Sequence, residues 1–322
     1  MTVARAEDNS FDIIHVPVFW REVLTLVAES DAAGTGIFVD CTLGEGGHSE
    51  QILLKFPNAK VIAFERDPEI LEVAKQRLDF FGDRIVFVND NFASLPKYLK
   101  DHGLLVQYIL FDYGISSYHF EMSGRGFSFR QDEPLDMRLS GSGKSAADIV
   151  NKASVKELSE IFYKFGEERW ANRIAAYIAR QRDLNAFKTT GELADVVMRA
   201  IPSRFHVRNI HPATRVFQAL RIAVNGELDA ISAGLDSLWK HVATGGLVMA
   251  ISFHSLEDRI VKNMFRQWER GCVCGLEPDK CVCANKPFVS VLTKKPILPT
   301  DEELAENSRA RSAKLRVCRR KS

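Results

Sequence analysis

Asp40, Gly44, Gly46 and Gly47 fall within Asp-Cys-Thr-Leu-Gly-Glu-Gly-Gly-His-Ser, residues 40–49, directly behind a short apolar run. Glycines so spaced let a ligand approach the backbone closely, and a helix opening behind them presents unpaired N–H groups. Dinucleotides and S-adenosylmethionine are the two cofactor classes that use such a turn. The dinucleotide pattern G-x-G-x-x-G asks for a third glycine where Ser49 stands. Asp40 would also repel a pyrophosphate, whereas it can bind the ammonium of a methionine moiety. The loop therefore favours S-adenosylmethionine over a nicotinamide dinucleotide, and a transferase over an oxidoreductase. Glu65 ends the next apolar run, where a carboxylate can accept hydrogen bonds from both ribose hydroxyls; this fits either cofactor. Asn89-Asp-Asn-Phe92 ends the third, where an amide or acid can read adenine and the Phe92 ring either packs on the base or fills the core.

A second set of residues could carry a transfer reaction. Phe111-Asp-Tyr-Gly-Ile-Ser-Ser117 ends a fourth apolar run. An exocyclic base amine is a poor nucleophile, because its lone pair is delocalised into the ring. An acceptor that holds its N–H and draws the nitrogen towards tetrahedral geometry makes it a better one. Asp112 can take that role, or it can cap the next turn as an ordinary strand-end acid. Tyr113 could stack on an extruded base. His254 ends a fifth run and either orients the base or is a satisfied core histidine. Arg125 to Arg138, with Asp132, Asp136, Gly126 and Pro134, suits a loop that closes over cofactor and substrate, or an ion-paired surface loop.

Two further groups of residues point outward. Pro212 opens a helix whose Val216, Leu220, Ala223 and Val224 form an apolar face, and Arg215, Gln218, Arg221 and Asn225 a polar stripe. The stripe is expected to face RNA, with Arg204, Arg208 and His211 extending it along the phosphates. Cys272-Val-Cys274 and Cys281-Val-Cys283 could hold a tetrahedral structural Zn²⁺ through four thiolates, although C-x-C is less usual than C-x₂-C for such sites.

The elements that must position these residues are legible in the periodicity. Gly36–Asp40, Lys60–Glu65, Arg84–Val88 and Val106–Asp112 read as strands separated by helical segments such as Pro68 to Phe81, which argues for a parallel sheet wrapped by helices. The fifth run, Gly246–Phe253, arrives long after a single crossover would need, so something is inserted. Residues 113–145 are rich in Gly, Ser and charge, and from Ala146 the period turns helical. This divides the chain into a first domain part at 1–140, an inserted helical substrate-recognition domain at 141–207, and a second part at 208–322. Ser255-Leu-Glu-Asp258 has the spacing of a capping box opening a helix through Trp268. Phe288–Thr293 and Ala313–Cys318 read as strands adding an antiparallel pair at the sheet edge, the basic C-terminal strip being either a nucleic-acid contact or the charged face of an edge strand.

The chain has 322 residues, 46% hydrophobic and 26% charged, with a formal net charge of +1, which are ordinary values for a folded globular protein of about two domains. No secretory h-region and no long apolar span is present, so a cytoplasmic protein without membrane contact is expected. Four of the six cysteines cluster late, which favours metal or redox chemistry over a secreted disulfide framework.

Taken in order, several stretches resemble the bacterial 16S ribosomal RNA (cytosine-N4)-methyltransferases: His15-Val-Pro-Val18, Asp40 to Ser49, Asp112 to Ser117, Arg125-Gly-Phe-Ser-Phe129 with Pro134-Leu-Asp-Met-Arg138, His211 to Asn225, Ile251 to Lys262, and Ser308 to Arg316. The resemblance implies an α/β, class I S-adenosylmethionine-dependent methyltransferase (Rossmann-like) sheet with an inserted helical domain, acting on a cytidine in the decoding region of the small ribosomal subunit. It places cofactor contacts on Gly46, Gly47, His48, Glu65, Phe92 and Asp112, with a further one on His119. Three positions depart from the family pattern: Glu65 replaces an aspartate, Tyr113 an aliphatic residue and His119 a glutamine. Asp112 would position the amine, Tyr113 and Phe129 would hold the base, and the implied partner is 16S rRNA or the small subunit, with a homodimer left open. The alternative is a non-catalytic RNA-binding assembly factor with a vestigial cofactor pocket, against which the intact loop and Asp112 speak.

Overall fold

A computed structural model describes residues 16–207, 211–271, 276, 280 and 287–322. The first half runs α1 (Trp20–Ala28), β1 (Gly36–Asp40), α2 (Gly47–Lys55), β2 (Ala59–Phe64), α3 (Pro68–Leu78), β3 (Ile85–Val88), α4 (Leu95–Asp101), β4 (Val106–Asp112) and α5 (Ser117–Glu121). Helices α6 (Ala146–Lys152), α7 (Val155–Gly166), α8 (Ala171–Arg182) and α9 (Thr190–Ala200) follow, then α10 (Thr214–Asn225) and α11 (Glu227–Leu235). The chain ends with β5 (Val242–Ser252), α12 (Ser255–Arg270), β6 (Val289–Val291), α13 (Asp301–Glu306) and β7 (Lys314–Arg320).

The strands form one sheet in the order β3-β2-β1-β4-β5-β7-β6, with β7 alone reversed. This is the α/β, Rossmann-like methyltransferase arrangement that the sequence implied. Its central strands are continuous apolar runs because both faces are covered. Along β5, Leu247, Met249 and Ile251 join the core on one face, while Val248 and Ala250 join the core on the other; Tyr108 and Leu110 alternate with Ile109 and Phe111 along β4 in the same way.

A third core lies off the sheet, built from α6 to α10 and the loop before them, with Leu158, Phe162, Ile174, Leu193 and Val197 at its centre. Its helices start where local capping dictates. Ser145 with Asp148, Ser154 with Glu157 and Thr189 with Glu192 each form a reciprocal capping box. Val216, Phe217, Ala219 and Leu220 of α10, with Ala213 just before it, pack into the same core.

Two expectations change. The late strands do join the sheet, but β7 lies between β5 and β6, so its basic residues do not line an edge. Arg316 instead turns inward and pairs with Asp258 of α12 at 2.5 and 3.1 Å. The capping box that opens α12 is formed by His254 and Glu257, one residue earlier than Ser255 and Asp258, and the helix continues to Arg270. No described helix is long and apolar enough to cross a membrane.

Candidate active site

Strand order changes direction between β1 and β4, since β2 and β3 lie to one side and β5 to the other. Connections leave such a point in opposite directions and open a crevice at the carboxyl ends of the strands, where ligands of open α/β sheets bind. Asp40 and Asp112 end these two strands.

The glycine loop turns back over Asp40. Gly44 and Gly46 have φ of 53° and 87°, in the left-handed region, and a Cβ on Gly46 would come within 2.8 Å of the Leu78 side chain. Gly46 is the N-cap of α2, Gly47 its first residue beside Pro17, and no described side chain caps the helix, which leaves first-turn N–H groups for a ligand. Asp40 is buried and its oxygens accept from Ser49 Oγ at 2.7 Å and the Thr42 N–H at 3.2 Å. Burial raises its carboxyl, against the pull of His48 and the Ser49 hydrogen bond. The carboxylate thus fastens the loop, and an ammonium would have to share it.

Glu65 holds the same loop from β2. Its oxygens accept from the N–H groups of Gly44 and Asp67, each at 2.9 Å, and burial pushes its carboxyl up to about 7 despite those bonds. Asp112 is tied to the loop through its own N–H, which donates to Thr42 Oγ1 at 2.7 Å. Its Oδ2 lies 3.5 Å from His48 Nε2, while its buried Oδ1 and that imidazole nitrogen have no hydrogen-bond partner among the described residues. Buried polar atoms left unpaired are costly and point to a missing ligand group.

Tyr113 does not meet its expectation. Its side chain is 2% exposed, stacked on Phe111 at 5.3 Å and tilted against Phe92 at 5.7 Å, so no ring face is open to an extruded base. Burial among apolar neighbours raises its hydroxyl well above the usual range. Phe92 is half-buried, edge-on to Phe111 and packed where Gly234 of α11 leaves room.

His119 is also committed elsewhere. Its Nδ1 accepts from the Ser116 N–H at 3.1 Å and its Nε2 lies 3.0 Å from Asp67 Oδ2, so neither nitrogen is left for a cofactor. Burial lowers its pKa, consistent with a neutral ring donating from Nε2. Asp67 also caps α3 through the Glu69 N–H and receives a short bond from Arg125. Burial alone would raise the Asp67 carboxyl, but the hydrogen bonds from His119 and Arg125 outweigh it and hold it below the usual range.

Arg125 continues to the carbonyls of Arg138 and Leu139, and Asn225 brackets that loop by accepting from the Leu139 N–H and donating to the Met137 carbonyl. The 125–138 loop is therefore strapped to Asp67, two residues beyond Glu65. Sequence reasoning missed Asp67 and placed Asn225 on an RNA-facing stripe; Asp67-Pro68 was the available signal for the first, an N-cap followed by proline at the first helical position.

The polar stripe of α10 is not an open face. Arg221 grips Glu227 with two bonds of 2.8 and 2.9 Å, Gln218 donates to the Phe165 carbonyl, and Asn225 is buried. Arg215 alone in the stripe is exposed, and its guanidinium donates to the Glu167 carbonyl at 3.2 Å. Phe129 and His211 come together, rings 4.6 Å apart. His254 sits at the start of α12 with Nε2 3.1 Å from Glu257 Oε1, out of line for a hydrogen bond. Glu227 completes a cluster with those two, and Arg221 supplies the opposing charge. Arg208 and the four cysteines Cys272, Cys274, Cys281 and Cys283 lie outside the described residues.

A sequence model of the MraW methylase family matches residues 12–321, almost the whole chain. The chain belongs to the MraW methylase family. Relatives named ribosomal RNA small subunit methyltransferase H come from Finegoldia magna, 44% identical over 94% of this chain and 97% of its own, and Carboxydothermus hydrogenoformans, 44% identical over 96% and 98%. A third, from Trichlorobacter lovleyi, is 46% identical over 94% and 97%. For this MraW methylase family member, the glycine loop and Glu65 form a cradle that fits S-adenosylmethionine, with the unpaired atoms of His48 and Asp112 at its border.

Proposed function

We propose that this protein transfers a methyl group from S-adenosylmethionine to the N4 exocyclic amine of a cytidine in the decoding region of 16S rRNA. The supporting observation is Asp112, whose buried Oδ1 has no described partner at the carboxyl end of β4, beside the glycine loop. The small-subunit rRNA named for the relatives, and the resemblance of the Asp112 to Ser117 stretch, supply the substrate class. When bound, the cofactor brings a methyl group already activated on a sulfonium.

The residues divide the work as follows. Gly44, Gly46, Gly47 and the start of α2 receive the methionine portion, with Asp40 on its ammonium. Glu65 accepts from the ribose and Phe92 borders the adenine. Asp112 would accept an N–H of the target amine, turn its lone pair towards the methyl carbon, and take up the proton released as the N–C bond forms and the methyl–sulfur bond breaks, its electron pair staying on sulfur as a thioether. Phe129, His211, Arg215 and His254 lie on the substrate side, and residues 141–207 help to grip RNA. The setting is cytoplasmic.

The test incubates the protein and Asp112→Ala with methyl-labelled S-adenosylmethionine and either 30S subunits or naked 16S rRNA, then identifies the labelled nucleoside. N4-methylcytidine made by the parent alone is expected. Label on another base, or none at all with cofactor still bound, would refute the reading, the second result favouring an assembly factor.

A further inference from the structure

Several arginines around the crevice are neutralised by a carboxylate, as Arg125, Arg138, Arg221 and Arg259 are. Arg169 and Arg204 differ. Both are exposed, neither enters an ion pair among the described residues, and both lie over aromatic rings. The Arg169 guanidinium stands 5.7 Å from the Trp170 ring centre and 5.0 Å from that of Phe205, and Arg204 stands 4.9 Å from the Phe205 ring. Trp170 and Phe205 are themselves 5.1 Å apart, tilted by 49°. Glu168, the nearest acid in sequence, is turned inward onto the Trp170 N–H.

The position of this layer follows from Glu167, which ends α7 with a φ of 49°. Its carboxylate accepts from Ser255 Oγ and from Arg259, and its carbonyl accepts from Arg215. Ser255 follows His254, so the corner carrying Arg169 and Trp170 is pinned beside the carboxyl end of β5, at the rim of the crevice.

We infer that Arg169, Trp170, Arg204 and Phe205 form the platform for single-stranded RNA next to the target nucleotide, stacking its bases and neutralising its phosphates. This deepens the rRNA methyltransferase reading and rests on it. Cations without carboxylate partners attract a polyanion, and aromatic rings layered with guanidinium groups stack any base without selecting sequence. An acidic protein surface would use the charge and leave the rings idle.

The experiment uses the full chain, a fluorescein-labelled single-stranded oligoribonucleotide of about 12 nucleotides, and 30S subunits with labelled S-adenosylmethionine. Arg169→Glu/Arg204→Glu should weaken oligonucleotide binding about tenfold or more at low salt and flatten the salt dependence by about 1.4 in log–log slope, two phosphate contacts' worth. The KM for 30S subunits should rise while cofactor affinity stays at the parent value. Phe205→Leu should weaken binding about fivefold with the slope unchanged, since stacking releases no counterions. Lys60→Glu/Lys100→Glu makes the same charge change on exposed residues at the opposite edge of the sheet and should behave like the parent. Parent-like affinity and slope in the arginine variant, or an equal loss in the lysine variant, overturns the platform. Parent protein that puts no label on either 30S subunits or naked 16S rRNA overturns the methyltransferase reading beneath it, whereas normal labelling with an unchanged KM in the arginine variant removes the platform alone.

Discussion

His48 Nε2 approaches Asp112 Oδ2 to 3.5 Å, and the carboxylate's other oxygen is buried with no described partner. One residue comes from the helix behind the glycine loop and the other from the neighbouring strand end, so this approach joins the cofactor cradle to the place where an amine would be held. Asp112→Asn keeps the shape but lets the side chain present an N–H where an acceptor is needed. Methyl transfer should fall by a factor of about 10² to 10⁴, with cofactor affinity, read by calorimetry, nearly unchanged. A variant retaining a tenth of the parent rate would remove Asp112 from the chemistry.

Glu65 titrates near neutrality because burial penalises its charge, at about 7. Its folded-state value is raised, so its contribution to stability is present at low pH and is lost as pH rises through about 7. Binding runs the other way, since ribose hydroxyls donate to a carboxylate better than to a neutral acid. Cofactor affinity should therefore increase between about pH 6 and pH 8. Glu65→Gln should bind more weakly and lose that part of the pH dependence; an identical profile in the variant would rule Glu65 out as its source.

Asp67 gathers His119, Arg125 and the Glu69 N–H at a fully buried carboxylate. Asp67→Ala leaves Arg125 only the more exposed Glu69, 3.6 Å away, and should cost about 3 kcal/mol in denaturant unfolding. Amide exchange should rise across residues 117–139, the segment that His119 and Arg125 fasten. Because burial lowers the His119 pKa, the stability contributed by its neutral ring is present at neutral pH and is lost as pH falls through that depressed value, when a proton on Nδ1 displaces the Ser116 N–H while the Nε2–H bond to Asp67 remains. Unaltered exchange in the variant would mean that the loop is held by other bonds.

Arg316 and Asp258 form a buried pair with two hydrogen bonds between β7 and α12. Arg316→Met strands a buried carboxylate and should cost about 3 to 5 kcal/mol, while Arg316→Met with Asp258→Leu should regain most of it. If the single variant loses no stability, the pair is weaker than its burial implies.

The chemistry at the sheet's carboxyl edge was legible because it depends on local order. Apolar runs ended by acids, a glycine turn and a helix start are encoded within a few residues, and Asp40, Gly46, Glu65 and Asp112 sit where those signals put them. Helical periodicity from Ala146 announced helices there, and three of them, α6, α7 and α9, open at capping boxes written four residues at a time.

What the sequence by itself determined, then, is the set of elements and the order in which they bring polar residues to one edge. Tertiary structure alone decided which of those polar groups remain available. His119 is consumed by Asp67, 52 residues away, and Asn225 by Leu139, 86 residues away. Tyr113 is closed off by Phe92 and Phe111, while Arg169 and Arg204 are left uncompensated at the rim. The reason is physical: a hydrogen-bonding group is free or satisfied according to what packing brings within about 3 Å of it. That neighbour is set by the closing of the chain and not by the residues beside it in sequence.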